Sequence, residues 1–346
     1  MRVHVLGAGI VGLACADELL ARGHDVTVVD PAPGSGASAV AAGMLSPAGE
    51  AWFGEADVLG LGLASAALWP AYAAGLGVTL HEHGTLVVGY DAGDGQDVER
   101  HAEVLARHGI PVDLLGHAEV RGLEPGIGRT SRGIRLDDRA VDPRAVVASL
   151  LARLRGRVRD RLPAARPDAT VVATGALLPE PWTGLVRGVR GEVVRLRTTV
   201  PPRHVVRGWV AGEPVYLVPR ADGEVVVGAT VEEHDEPPAA TAGGVLRLLR
   251  PARVLLPALD RAEVLACEAR DRPATRDHLP LVGPTDDPRT WLAAGHFRHG
   301  VLLAPLTARL LADALEGAAP DPAVDPRRFL TANHPTTTTT GGMPCA

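Results

Sequence analysis

Residues 2–30, RVHVLGAGIVGLACADELLARGHDVTVVD, decide the fold. Arg2 to Leu6 is a short apolar run that stops at Gly7-Ala8-Gly9-Ile10-Val11-Gly12, after which Leu13, Ala16, Leu19 and Leu20 keep helical spacing until Gly23. Asp25 to Asp30 is a second apolar run that ends in an acid, completing a strand-helix-strand unit. In that setting Gly7 permits the tight turn, Gly9 lets a pyrophosphate approach the backbone and Gly12 lets helix pack on strand. The helix N-terminus at Ile10 and Val11 supplies N–H groups and a positive dipole. Asp30 is placed to accept hydrogen bonds from a ribose. The pattern predicts a dinucleotide site, against the plainer reading that the glycines only serve packing. NAD and FAD share this unit, so the rest of the chain must choose.

Composition narrows the chemistry. The 346 residues are 46% hydrophobic and carry a formal net charge of -6, so a buried core is expected and neither a nucleic-acid surface nor a disordered acidic chain is. Lysine is absent, so all 35 basic residues are arginine. That removes a pyridoxal-phosphate Schiff base and the P-loop nucleotide site, both of which need a lysine. Three cysteines, Cys15, Cys267 and Cys345, without a CxxC argue against a disulfide framework or a structural zinc and fit a reducing compartment. No charged leader precedes the first strand, and no apolar run approaches the roughly 18 residues of a membrane span. The expected setting is cytoplasmic, with small-molecule partners, no nucleic acid, no membrane and no metal.

Farther along, Gly84 to Tyr90 and Val215 to Thr230 read as hairpin-like antiparallel sheet, the latter with Ala-Asp-Gly between two β-rich runs. Asp168 to Gly175 is a short buried strand ending in Ala-Thr-Gly, and Trp291 to Ala294 is a last strand, so the chain returns to its first domain. Val301 to Leu315 follows a helical period, with Pro305 near the first turn. The end, HPTTTTTGGMPCA, is a low-complexity tail that cannot bury apolar area.

Four segments choose between the cofactors: Gly36-Ala-Ser-Ala-Val-Ala-Ala-Gly-Met-Leu45, Ala173-Thr-Gly175, Arg272-Pro273 with Thr275 and Asp277, and GHFRHGVLLAP from Gly295 to Pro305. In this order and spacing the chain resembles the D-amino-acid oxidase family of flavoproteins, nearest its glycine-oxidizing branch of thiamine biosynthesis, over almost its whole length to about Leu330. The resemblance implies an α/β fold: a glutathione-reductase-like FAD-binding Rossmann domain of residues 1–79, 139–187 and 268–330, and an antiparallel-sheet substrate domain of residues 80–138 and 188–267. Residues 331–346 would be a disordered tail.

The same resemblance implies noncovalent FAD held by Ile10, Val11, Asp30, Ser38, Ala42, Gly43 and Met44 and by His296, Phe297, Arg298, His299, Gly300, Val301 and Leu302. A helix starting near Val301 would aim its positive end at the flavin pyrimidine. Arg272 would grip the substrate carboxylate, Tyr216 would help to hold it, and Arg298 would touch flavin and substrate. Plainer alternatives stand beside these: an ion pair of Arg272 with Glu268 or Asp277, a packed sheet tyrosine, an ordinary strand-to-helix turn at Gly295–Gly300, and core packing for Met44. His299 stands where most relatives have asparagine, Val231 where a pocket methionine is found, and the segment from Arg155 to Asp168 is shorter than the hairpin whose strand helps to hold adenine in relatives. In sarcosine oxidases a cysteine tethers the flavin; its register here falls on Arg270.

The implied activity is oxidation of glycine, and of small secondary or D-amino acids, to the imine by hydride transfer to flavin without a catalytic side chain, with O2 reduced to H2O2. The resemblance allows a homo-oligomer and a hand-off of the imine to a thiazole synthase. The rival readings are a dehydrogenase of the same fold, a sister sarcosine or D-amino-acid oxidase, and a noncatalytic flavin-binding subunit.

Overall fold

The computed structural model describes residues 1–51 and 54–330; the expected tail, 331–346, lies outside the described residues. A six-stranded sheet carries the strand order Leu281–Pro284, Thr290–Ala294, Ala169–Val172, Arg2–Leu6, Asp25–Val29, Val158–Arg159. All its pairings are parallel except the outermost, between Leu281–Pro284 and Thr290–Ala294. Helices cover both faces of such a sheet, which explains why its central strands are almost continuously apolar. Val3, Val5, Val26, Val28, Val171 and Leu292 are fully or almost fully buried.

The first helix, Ile10–Ala21, packs on this sheet and on the helix Gly300–Leu315, and buries Leu13, Ala14, Cys15, Ala16 and Leu19. Its small residues let the second helix approach closely. The predicted terminal helix is therefore present, though it starts at Gly300, which puts Pro305 in its second turn rather than its first.

An eight-stranded sheet has the order Glu263–Ala274, Arg187–Arg197, Glu224–Gly228, Glu213–Pro219, Val205–Val210, Thr85–Gly89, Arg132–Leu136, Leu114–Leu115. The predicted Val215–Thr230 hairpin is there as Glu213–Pro219 against Glu224–Gly228. Gly84–Tyr90 is not a hairpin: Thr85–Gly89 is a single strand, antiparallel to Arg132–Leu136 and parallel to Val205–Val210. Strand pairing also runs across the expected domain boundaries in two places. Glu263–Ala274 runs unbroken through 267/268 and pairs along its length with Arg187–Arg197, so Arg272 stands on the edge strand of the large sheet. A three-stranded sheet joins Met44–Leu45 and Leu80–His81 to opposite edges of Arg139–Val141, so Leu80–His81, expected in the substrate domain, pairs with a strand expected in the flavin domain.

The helix Ala56–Leu76 corrects the sequence reading on apolar runs, for its 21 residues are long and apolar enough to cross a membrane by length and composition. Gly, Ala and Ser interrupt its large residues and hid it as a run. In the fold it packs on Gly300–Leu315: Ser65 Oγ and Trp69 Nε1 both donate to the Leu302 carbonyl, at 2.6 and 2.8 Å.

Candidate functional site

A cavity of about 610 Å³ extends between the two large sheets, from Val29, Asp30 and Pro31 past Gly7, Gly9, Ile10 and Val11 to Met44, Tyr216, Arg272, Arg298, Gly300 and Val301. The turn at its first end is built by backbone contact. Gly7 has φ +102°, and a Cβ there would lie 2.3 Å from the Ala173 carbonyl oxygen, while one on Gly12 would lie 2.1 Å from that of Gly7. Only glycine permits this approach. Asp30 fastens the turn, accepting from Ala8 N at 2.7 Å and Ala32 N at 2.8 Å, and Ser38 Oγ accepts from Ile10 N at 3.0 Å.

The second end is one face of the eight-stranded sheet. Val193, Gly228, Tyr216 and Arg207 form a row of directly paired residues across four strands, and all four line the cavity. A Cβ on Gly228 would lie 2.3 Å from the Tyr216 hydroxyl, so the missing side chain is the space the phenol occupies. Gly191 does the same for Arg272, whose Nη2 would stand 2.3 Å from its Cβ. Arg272 Nη1 donates to the carbonyls of Thr230 at 3.1 Å and Arg190 at 3.3 Å.

Among the described residues no carboxylate pairs with Arg272. The acids named as its alternative partners are engaged elsewhere: Glu268 with Arg144 and Arg195, and Asp277 with Arg328. Burial pushes the Tyr216 phenol up, partly opposed by the Arg272 guanidinium.

The terminal segment divides between two faces. His296, Phe297, Arg298, Gly300 and Val301 line the cavity, the last two at the N-terminal end of the Gly300–Leu315 helix. His296 is buried against Thr307 Oγ1, at 2.8 Å, and burial lowers it to about 3, so it is neutral at physiological pH. His299 and Leu302, expected at the cofactor, do not line this cavity but a small void beside Glu50, and Gly12, packed against the Gly7 carbonyl, does not line it either. His299 is turned to Glu50 because the short helical turn Phe297–His299 puts successive side chains on different sides. Ala42, Gly43 and Met44 line the cavity together, and so does the largely exposed Val231. Arg270 lines it too, with Nε donating to the Ser35 carbonyl at 2.9 Å; Cys267 does not.

Glu50, Arg207, Gly191 and Gly228 were missed in the sequence. Two are glycines among 40, and Glu50 lies in an irregular stretch without period. Strand register alone identifies Arg207 and the two glycines.

The residues present fit FAD. A glycine turn that admits no Cβ, a helix N-terminus, a continuous cavity of ligand size and a second helix N-terminus at its far end are what an extended flavin dinucleotide requires.

Comparison with known proteins agrees with the geometry. Residues 2–314 match the family model described as DAO, FAD dependent oxidoreductase. The chain is 37% identical over 321 residues to a Rhizobium etli protein that carries the name of a thiamine biosynthesis oxidoreductase, ThiO, covering 89% of this chain and 94% of that one. It is 31% identical to the bifunctional protein ThiO/ThiG of a Synechocystis species, covering 96% of this chain and 55% of the longer protein. The crystal structure of glycine oxidase from Geobacillus kaustophilus superposes with a TM-score of 0.82 at 30% identity, over 95% of this chain and 98% of that one. With a family match over nearly the whole fold and a cavity of matching chemistry, this chain belongs to the D-amino-acid-oxidase-type family of FAD-dependent oxidoreductases.

Proposed function

We propose that this protein oxidizes glycine, and small secondary or D-amino acids, to the imine, with noncovalently bound FAD, and that it passes the product toward thiazole assembly in thiamine biosynthesis. One observation carries the reading: Arg272 faces the cavity beside Tyr216, bonded only to backbone carbonyls among the described residues. A guanidinium fork left without an acid suits a substrate carboxylate, which it binds by charge-assisted hydrogen bonds.

FAD, when bound, supplies the two-electron acceptor, and O2 then takes the electrons as H2O2. Everything else falls to the chain. Arg272 and Tyr216 hold the carboxylate and thereby fix where the Cα–H bond points. Neutral His296 adds no cation to compete for that carboxylate. The N-terminus of Gly300–Leu315 presents partial positive charge to the cavity, favoring negative charge that develops there. Met44 and Val231 bound the space beside the clamp, which suits a substrate with little or no side chain.

The names of the relatives support the thiamine setting, and the fused ThiO/ThiG chains support a hand-off to a thiazole synthase. A cytoplasmic enzyme with a flavin domain and a substrate domain meeting at the cavity belongs to the same reading, as does the assignment of Ile10, Val11, Asp30, Ser38, Ala42–Met44 and the 296–301 segment to the flavin.

The test is anaerobic titration of the yellow protein with amino acids, followed by a peroxidase-coupled assay in air. Glycine and sarcosine should bleach the flavin and yield H2O2, with bulky L-amino acids inert. Bleaching without peroxide would replace the reading with a dehydrogenase. A response only to a larger D-amino acid would point to a sister oxidase, and none to any amine would leave a noncatalytic subunit.

A further inference from the structure

The cavity holds a second set of charges that the carboxylate clamp does not use. Glu50 lines it, with Oε1 3.5 Å from Arg207 Nη1, and Oε2 3.6 Å from Arg298 Nε and 3.3 Å from His299 Nδ1. Arg207 and Arg298 also line the cavity, and Arg207 is the cross-strand neighbor of Tyr216. The two guanidinium nitrogens facing Glu50, Arg207 Nη1 and Arg298 Nε, are buried and have no hydrogen-bond partner among the described residues. Their link to Glu50 is therefore charge at a distance. Arg298 is held on its other side by the Glu55 carboxylate and by the Glu50 backbone carbonyl, 3.2 Å away. The Tyr216 phenol is influenced by both Arg272 and Glu50, so the internal carboxylate acts on the same group as the clamp.

We propose that Glu50 is a built-in carboxylate filling an anion subsite formed by Arg207 and Arg298, and that it restricts the pocket to amino acids carrying a single carboxylate. Arg270, the fourth arginine of the cavity, is bonded to the Ser35 carbonyl; the other three, Arg207, Arg272 and Arg298, would otherwise attract a dianion. Glu50 and Glu55 offset two of them and leave one positive charge, at Arg272, for one substrate carboxylate. A second carboxylate on the substrate would have to stand beside Glu50. Two like charges sharing a desolvated site repel strongly, which is selection by rejection and not by a tighter fit. His299 strengthens the arrangement: burial lowers it to about 4, so it brings no further cation at physiological pH.

This inference rests on the amino-acid oxidase reading, and its test separates the two. The flavin-loaded wild type and Glu50→Gln are each titrated with acetate and malonate, read as perturbation of the flavin absorbance, and assayed with sarcosine and N-(carboxymethyl)glycine. The wild type should bind malonate no more tightly than acetate. Glu50→Gln, which keeps the shape and removes the charge, should raise malonate affinity relative to acetate, and kcat/KM for N-(carboxymethyl)glycine relative to sarcosine, by about 10-fold or more. Unchanged ratios in folded Glu50→Gln would overturn the proposal. So would a wild type that prefers malonate, a measurement that decides the matter even if the variant does not fold. If no amine is oxidized while the acetate and malonate results hold, the oxidase reading fails and the role of Glu50 stands.

Discussion

Replacing Arg272 by alanine should abolish most substrate use while leaving FAD in place. The guanidinium makes two hydrogen bonds to the protein, to the carbonyls of Thr230 and Arg190. Losing them strands two acceptors at a cost of about 1 kcal/mol each, which a folded domain tolerates. On the substrate side the loss is larger, because each charge-assisted hydrogen bond to a carboxylate contributes about 1.5–3 kcal/mol. At about 1.4 kcal/mol per factor of ten, one such bond lowers kcat/KM about 10- to 100-fold, and a bidentate pair more. Arg272→Lys should recover only part, since an ammonium lacks the fork.

Gly191→Ala is the companion variant. Its Cβ would fall 2.3 Å from Arg272 Nη2, the end of a flexible side chain, so the clamp moves aside while its charge remains. Flavin content is read from absorbance and kcat/KM for glycine from the peroxidase-coupled assay. A folded, flavin-loaded Arg272→Ala with unaltered kcat/KM would refute the clamp, as would a variant that unfolds but whose soluble fraction keeps full activity.

Tyr216→Phe should reduce kcat/KM about 10-fold by removing one donor to the carboxylate, with flavin content unchanged in the same assay. Acid precipitation should leave all flavin in the supernatant, because Arg270 occupies the register of the tethering cysteine and Cys267 does not line the cavity. Gly7→Ala, which forces a Cβ to 2.3 Å from a backbone oxygen at a φ of +102°, should lower Tm and the flavin bound per chain. His101, His296 and His299 are lowered by burial to about 4, 3 and 4 and stay neutral in the fold, whereas the unfolded chain takes up protons below about 6.5. Their share of stability is whole above about pH 6.5 and is lost as pH falls toward 4 and below, on the order of a few kcal/mol, so denaturant midpoints should drop over that interval.

What the sequence disclosed and what it withheld follow from the range of the interactions. The strand-turn-helix at Arg2–Ala21 and the helix Gly300–Leu315 are written in local period and glycine spacing, and both were legible. Thr85–Gly89 was not, because its partners lie about 45 and 120 residues away and nothing local distinguishes it from half of a hairpin. The strand Glu263–Ala274, which runs through the expected boundary at 267/268, was hidden for the same reason. A cysteine followed by Glu268-Ala269-Arg270 has no turn signal, but no local cue announces that Glu263–Ala274 is a single long strand on the edge of the larger sheet.

Arg272 shows how a site residue can be present in the sequence and yet unreadable from it. By composition it is one of 35 arginines, many of which meet acids on the surface, and resemblance to a family was needed to single it out. The physical mark that sets it apart lies in register. Gly191 pairs with Arg270 and so stands two residues along and diagonal from Arg272 on the same face, while Gly228 pairs directly with Tyr216. Side chains on one face of a sheet compete for the same space, so a glycine beside a long polar residue lets that residue lie flat over the strand instead of standing upright. Both glycines occur on interior strands, where glycine weakens a sheet, and both lie under the residues proposed to hold the substrate. The sheet therefore gives up packing at those two positions to hold a guanidinium and a phenol against its surface, which leaves the volume above them to the ligand.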